Sequence, residues 1–235
     1  MTSANPPHRG SKPRIPLQLM IMIAMVLTLM FITWLTLANP DLKEGNKAQM
    51  TAQYYLDALG RAPIDKLGAE LHPEPRRQFN PDSFKQHLAE LQLNQIVKVN
   101  QLRDELFQKD PAQWSWRADL SATTGKFPLL IAVRKPQEQT IARRWRIYSL
   151  CRPDLDLMAQ SKALLNQKDS PLQKLAGFAN FKAQPEASWK WVGWSPITLV
   201  IPGQDKKLQL SWTYQSNTKL GCDYQLMPAK WISAN

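Results

Sequence analysis

The two cysteines of the chain, Cys151 and Cys222, are the residues whose chemistry the sequence defines best. Both lie at the ends of predicted strands, and proteins of oxidising compartments commonly join such pairs as a disulfide. The bond would remove roughly 4 kcal/mol of unfolded-state entropy, because it closes a long loop. No C-x-x-C motif is present, which disfavours a redox pair. We predict a structural disulfide, with two free buried thiols as the alternative.

Histidines beside carboxylates are candidates for acid–base chemistry. His72 lies between Glu70 and Glu74, and His87 precedes Glu90 by three residues. Either pair could transfer a proton, and the second could bind a metal. Pairing on the surface or at a helix end is the commoner role, and no nucleophile motif or phosphate-binding glycine loop occurs. We therefore predict no catalytic residue, no metal, no cofactor and no enzymatic activity.

Asp154 and Asp156 are a second pair of acidic residues close in sequence, directly after Arg152-Pro153. They lie at the predicted start of a helix, where carboxylates interact favourably with the helix dipole. The pattern predicts this electrostatic role for both residues and no catalytic one.

Four tryptophans form two pairs in which one residue separates the indoles. They are Trp114 with Trp116 and Trp189 with Trp191. On a strand, such pairs point to the same face. If that face is buried, the indoles belong to the core, since an aromatic side chain buries about 150–250 Å². An exposed face would form a platform for a sugar or a partner protein. We favour the core and keep the binding surface as the alternative.

Basic residues outnumber acidic ones by 30 to 19, which gives a net charge of +11. They cluster as Arg76-Arg77, Arg134-Lys135 and Arg143-Arg144 with Arg146. A basic chain often binds nucleic acid, but an exported domain rarely meets it. The predicted partners are therefore an acidic protein, an acidic glycan or anionic lipid, and not nucleic acid. Solvated charges on strands and loops are the alternative explanation.

Residues 17–38 form an uncharged apolar stretch that follows Arg9, Lys12 and Arg14. At about 1.5 Å per residue a helix of this length reaches roughly 33 Å, enough for a bilayer core of about 30 Å. The positive flank predicts a cytoplasmic N-terminus. We interpret the stretch as an uncleaved anchor in contact with the lipid bilayer, with a cleaved signal peptide as the alternative.

The rest of the chain alternates groups of helices with groups of strands, which predicts an α+β protein with a helix-covered, mostly antiparallel sheet. The predicted organisation is a cytoplasmic tail at 1–16, a transmembrane helix at 17–38, a tether at 39–46 and an exported domain at 47–235. Capping and proline signals predict helices near 46–59, 63–71, 80–91, 155–166 and 170–181, with Asn46 capping the first and Asn80, followed by Pro81, capping the third. Residues 95–108 fit either a helix or a strand, and we favour the helix.

Alternation and turn signals predict the strands of this sheet. Their ranges are 114–121, 127–134, 140–150, 188–194, 197–201, 207–215 and 222–227.

Residues 52–74 resemble the opening of NTF2-like proteins, a superfamily of cone-shaped α+β proteins. Tyr55, Leu56, Ala58 and Leu59 match its first helix, and Asp65, Leu67, Leu71 and Pro73 match its second helix and the exit from it. The resemblance implies a curved sheet covered by helices, with a cavity that is either a ligand site or packed. Bacterial secretion and conjugation scaffolds are similar in layout, with one membrane helix and a periplasmic NTF2-like domain.

Together these features predict a single-pass protein of the bacterial inner membrane with its bulk in the periplasm. We predict that it is a non-enzymatic assembly component of a membrane complex, with protein partners in the envelope and self-association as a further option. A periplasmic domain that binds a small ligand or glycan in an aromatic pocket is the alternative.

Overall fold

The computed structural model describes residues 17–38, 40–106, 112–123, 125–136 and 144–233. The chain divides into two compact units at Glu44 and Gly45. Within the described ranges it is an α+β protein with six α-helices and two antiparallel sheets. The α+β class follows the sequence pattern, but the single sheet that we predicted is wrong.

Helix α1 spans Leu17–Ala38. In the part of the chain that the structure describes, no helix combines the length and the apolar character needed to cross a membrane. The prediction of a transmembrane helix at 17–38 is therefore wrong.

Four further helices precede the first sheet: α2 at Pro40–Ala58, α3 at Ile64–Ala69, α4 at Pro73–Arg76 and α5 at Pro81–Glu90. Helix α2 begins at a proline, which needs no amide donor in the first turn. The predicted tether is therefore helical from residue 40, and Asn46 lies inside the helix instead of capping it. The predicted cap of α5 is confirmed, because the Asn80 side chain accepts a hydrogen bond from the Ser83 amide at 2.8 Å.

The first sheet has the antiparallel order β1-β2-β3-β4. Its strands are β1 at Ile96–Leu106, β2 at Gln113–Ala122, β3 at Gly125–Arg134 and β4 at Arg146–Cys151. Strand β1 replaces the helix that we favoured for 95–108, so that prediction is wrong. The first residues of the strand predicted at 140–150, including Arg143, lie outside the described residues.

The first sheet buries one face against the helices. Its core includes Tyr55 and Leu56 from α2, Trp116 from β2 and Ile147 from β4, none more than 5% exposed. Neighbouring residues of β3 alternate between two cores, since Ile131 faces this one and Leu130 the second. The period-two alternation of a strand thus places β3 between two apolar layers.

Other parts of the chain bond to both edges of the first sheet. On β1, the Leu102 amide donates to the Gln53 side chain of α2 at 3.2 Å. On β4, the Leu150 amide donates to the Leu220 carbonyl at 2.8 Å, and Ile147 bonds to segment 70–72. These bonds tie α2 and segment 70–72 to the sheet.

Helix α6 at Pro153–Asn166 is followed by three short 3-10 turns, at Pro171–Lys174, Phe178–Asn180 and Glu186–Ser188. The single helix predicted at 170–181 is wrong. Leu175 adopts an extended conformation, and Gly177 is left-handed with φ of +75°, a conformation that glycine adopts at little cost. The chain therefore turns at these residues instead of continuing as a helix.

The second sheet has the order β5-β6-β7-β8, with β9 also paired to β7. The strands are β5 at Lys190–Trp194, β6 at Ile197–Pro202, β7 at Lys207–Ser216, β8 at Cys222–Leu226 and β9 at Lys230–Ile232. Its core centres on the fully buried Trp212 and includes Leu157 of α6. The strands β5 to β8 lie where the sequence predicts them, and β9 is an addition.

The predicted disulfide is confirmed between Cys151 and Cys222, whose Cα atoms are 5.9 Å apart. It joins the end of β4 to the start of β8 and so links the two sheets.

The titration of His87 in α5 should make the stability of the protein depend on pH. Burial lowers its pKa below the usual value of 6.5, although Glu90 opposes the shift. The unfolded chain then binds a proton at a higher pH than the folded chain does, so stability falls as pH decreases from 6.5 through the folded-state pKa. In His87→Gln we expect a shallower loss of stability between pH 7.5 and 5, measured by urea unfolding. Equal slopes for both proteins would contradict this assignment.

Candidate functional site

Basic residues line a cleft of about 410 Å³ between α3, α4 and the β3–β4 pair. We call it the arginine cleft. Its lining consists of Ala69, Leu71, Pro73, Arg76, Arg77, Pro136 and Arg146. Three arginines thus surround small apolar residues, an arrangement suited to binding an anion that also carries apolar surface.

A parallel bridge between Leu71 and Ile147 builds one wall of the arginine cleft. The His72 amide donates to the Ile147 carbonyl at 2.7 Å, and the Ile147 amide donates to the Glu70 carbonyl at 3.1 Å. These bonds fix segment 70–72 along the edge of β4. Helix α4 follows directly, so its Arg76 and Arg77 are carried to the mouth of the cleft.

His72 forms the start of α4. Its Nδ1 accepts a hydrogen bond from the Glu74 amide at 3.3 Å, and its ring meets Tyr148 edge to face at 5.2 Å. Proline at the first helical position and an accepting side chain before it are a common helix start. The structure therefore gives His72 a helix-capping position beneath the arginine cleft.

Strands β3 and β4 build the opposite wall, and their register places Arg134 directly across from Arg146. Arg146 pairs with Glu70 at 2.6 Å and also donates to the Ala69 carbonyl at 3.2 Å. Arg134 lies 3.8 Å from the Glu74 carboxylate. Glu70 and Glu74 thus already pair with two of these guanidinium groups. The same groups are therefore suited to binding the carboxylates of a ligand.

Aromatic rings support the cations beside the cleft. The Arg134 guanidinium lies 4.9 Å from the centre of the Tyr148 ring, and the Lys135 ammonium lies 5.0 Å from the Trp145 ring. Such cation–π contacts hold charged groups in place and favour the charged form. Burial and the nearby Glu74 raise the pKa of the Tyr148 hydroxyl, while Arg134 opposes the shift. Tyr148 therefore stays protonated at neutral pH.

The described lining of the arginine cleft is cationic. Arg76, Arg77 and Arg146 line it, and Arg134 lies across from Arg146 in the β3–β4 register. Each of the two carboxylates pairs with one of these arginines, Glu70 with Arg146 and Glu74 with Arg134. Among the described residues of the lining there is no serine, cysteine or histidine. Among the described residues, no three histidine, cysteine, aspartate or glutamate side chains could hold a metal together. The cleft can bind and orient an acidic group.

The predicted basic clusters fall into two sets. Arg76-Arg77, Arg134-Lys135 and Arg146 come together around the arginine cleft. Arg144 is exposed just before β4 and is not part of the lining. The cleft was not predictable as one site, since only the bridge at Leu71 and the β3–β4 register bring these segments together. In the sequence, only the acidic residues Glu70 and Glu74 around His72 indicated that charged side chains pair in this region.

The four predicted tryptophans do not form one surface. Trp116 is only 4% exposed, and Trp114 stacks on it at 6.3 Å and contacts Gly45 of α2. Trp191 stacks on Trp194 at 5.8 Å and packs against the second core. Trp189 lies apart from Trp191, in a separate groove beside α6. The first pair therefore belongs to the core, and Trp189 lines a cavity.

No family model, curated protein or solved structure matches this chain. The resemblance to NTF2-like proteins stays a prediction, and the arginine cleft is the feature that indicates a function.

Proposed function

We propose that the chain is a non-enzymatic interaction module of a larger assembly, and that it docks an acidic segment of a partner protein in the arginine cleft. The observation that carries the proposal is the convergence of Arg76 and Arg77 with the distant Arg146 on one cleft that is otherwise lined by apolar residues. Guanidinium groups bind carboxylates through two parallel hydrogen bonds and are weakly hydrated, so they suit protein interfaces.

The disulfide supports an oxidising compartment for the proposed interaction. A disulfide joins the two sheets, and such bonds persist where the surroundings are oxidising, as in the bacterial periplasm. The proposed partner is therefore an acidic protein of an oxidising compartment.

The proposal predicts that Arg76→Ala/Arg77→Ala weakens binding of an acidic peptide at least tenfold. Both side chains are exposed, so their removal leaves the two cores intact. A charge-assisted hydrogen bond contributes about 1.5–3 kcal/mol, and 1.4 kcal/mol corresponds to a factor of ten. The measurement is the fluorescence anisotropy of a labelled octaglutamate peptide titrated with the full chain at low salt.

The matched control is Lys182→Ala/Lys190→Ala, which removes two exposed cations elsewhere on the domain. It should change the affinity less than twofold. Equal losses in the two variants would show binding to net charge alone and would overturn the assignment to the arginine cleft. Both variants should show the thermal unfolding midpoint of the parent protein.

A further inference from the structure

A second cavity, of about 480 Å³, lies between α6 and the segment that leads into β5. We call it the aromatic groove. The half-buried rings of Phe181 and Trp189 line one side, with the buried ring of Phe178 behind them. The amide side chains of Asn166, Gln173 and Gln184 also line the groove. Its volume lies within the range of sites for small ligands, about 300–1,000 Å³.

Hydrogen bonds to the β6–β7 hairpin hold one wall of the aromatic groove in place. The Gln184 amide donates to the Pro202 carbonyl at 2.8 Å, and the Gln184 side chain donates to the Gly203 carbonyl at 3.2 Å. The Trp189 indole donates to the Gln184 carbonyl at 2.9 Å. Because Trp189 is bonded through Nε1, its ring plane is oriented before any ligand arrives.

Gly203 allows this wall to form. A Cβ atom at this position would lie 2.3 Å from the Phe181 ring and 2.9 Å from the Lys206 carbonyl. Real Cβ atoms do not approach so closely, so only glycine lets Phe181 take its position over the hairpin. The aromatic wall is thus preformed, which reduces the entropy lost on binding.

The electrostatics of the aromatic groove differ from those of the arginine cleft. Among the described residues of its lining, Lys162 and Glu186 are the charged ones, and they form an ion pair at 2.7 Å. The described lining therefore carries no net charge, although the chain as a whole carries +11. Primary amides supply both donors and acceptors, so the groove combines aromatic surface with neutral hydrogen-bonding groups.

We propose that the aromatic groove binds a neutral oligosaccharide. A sugar ring has an apolar C–H face, which packs against an aromatic ring, and an edge of hydroxyl groups, which exchange hydrogen bonds with amides. A charged ligand would find no counter-charge here, since Lys162 and Glu186 neutralise each other. A fully apolar ligand would remove water from the side-chain amides at 166 and 173 without replacing its hydrogen bonds, which costs free energy.

The test titrates the full chain with two neutral trisaccharides, cellotriose and chitotriose, and follows tryptophan fluorescence. We expect saturable binding of at least one, with a Kd on the order of 1 mM. Trp189→Ala should weaken that binding at least tenfold. The absence of a saturable signal for both sugars up to about 20 mM would overturn the proposal.

Trp189 also packs against the second core, so Trp189→Ala can destabilise the fold. A second variant therefore tests sugar binding without changing the core. Asn166→Ala/Gln173→Ala changes two exposed side chains and should weaken sugar binding about fivefold with an unchanged unfolding midpoint. Unchanged sugar affinity in this variant and in Trp189→Ala would place the sugar elsewhere. Arg76→Ala/Arg77→Ala should bind the sugar as the parent does, so the two proposals fail independently.

Discussion

Replacing Cys151 and Cys222 by serine is expected to lower the free energy of unfolding by about 4 kcal/mol. The cysteines are separated by 71 positions in sequence, so the disulfide restricts a large part of the unfolded chain. It also joins β4 to β8 and so links the two sheets covalently. A loss of this size is a large share of the stability of a typical domain, about 5–15 kcal/mol.

Urea unfolding of the full chain measures this effect, and the parent protein in reducing buffer should match the double-serine variant. Ser149→Ala/Ser216→Ala is the matched control, because it removes the 2.8 Å hydrogen bond between these hydroxyls at the same junction. That variant should lose only about 1 kcal/mol. Similar losses in the two variants would mean that local packing, and not the covalent link, holds the sheets together.

Sequence patterns predicted the elements whose signals are local. The Asn80 cap with Pro81 marks the start of α5, and the turn at Pro202-Gly203 marks the β6–β7 hairpin. In both cases the chemistry of a few adjacent residues decides the structure. The cysteine pair was predictable for a different reason, since two cysteines allow a single disulfide.

Strand β1 was not predicted because its bulges give its core-facing residues the spacing of a helix face. The register slips between Ile96 and Lys98 and again between Val99 and Leu102. As a result Ile96, Val99 and Leu102 all pack towards the first core at a spacing of three residues. A regular strand would show a spacing of two, whereas three is typical of a helix face. The spacing that favoured a helix is thus produced by an irregular strand.

The arginine cleft and the aromatic groove could not be predicted from the sequence. Each depends on contacts between residues far apart in the chain, such as the Leu71–Ile147 bridge and the bond from Gln184 to Gly203. Residue types alone suggested basic clusters and tryptophan pairs, but not which of them would share a cavity.

Arg152 is a buried cation, only 3% exposed, whose role the sequence did not suggest. Its guanidinium forms two hydrogen bonds with the Asp154 carboxylate, at 2.8 and 2.7 Å. It also donates to the Leu91 carbonyl at 3.0 Å and lies 3.6 Å from the centre of the Phe127 ring. Arg152 therefore links the end of α5, strand β3 and the start of α6.

Asp154→Ala is expected to destabilise the protein by about 3 kcal/mol, since it leaves a buried charge without its carboxylate. The matched control is Asp156→Ala, two residues further along the same helix turn. Burial raises the pKa of the Asp156 carboxyl, so its surroundings do not favour the charge, and its loss should cost under about 1 kcal/mol. The helix-dipole role predicted for both residues would instead give equal losses of about 0.3–1 kcal/mol.

The double variant Arg152→Met/Asp154→Ala completes the test. Removing both charges leaves no buried ion unpaired, and replacement of a buried pair by apolar side chains is often neutral or stabilising. We therefore expect the double variant to be more stable than Asp154→Ala alone in urea unfolding. If it is less stable, the contacts of Arg152 with Leu91 and Phe127 outweigh the ion pair, and the cation itself holds α5 against α6.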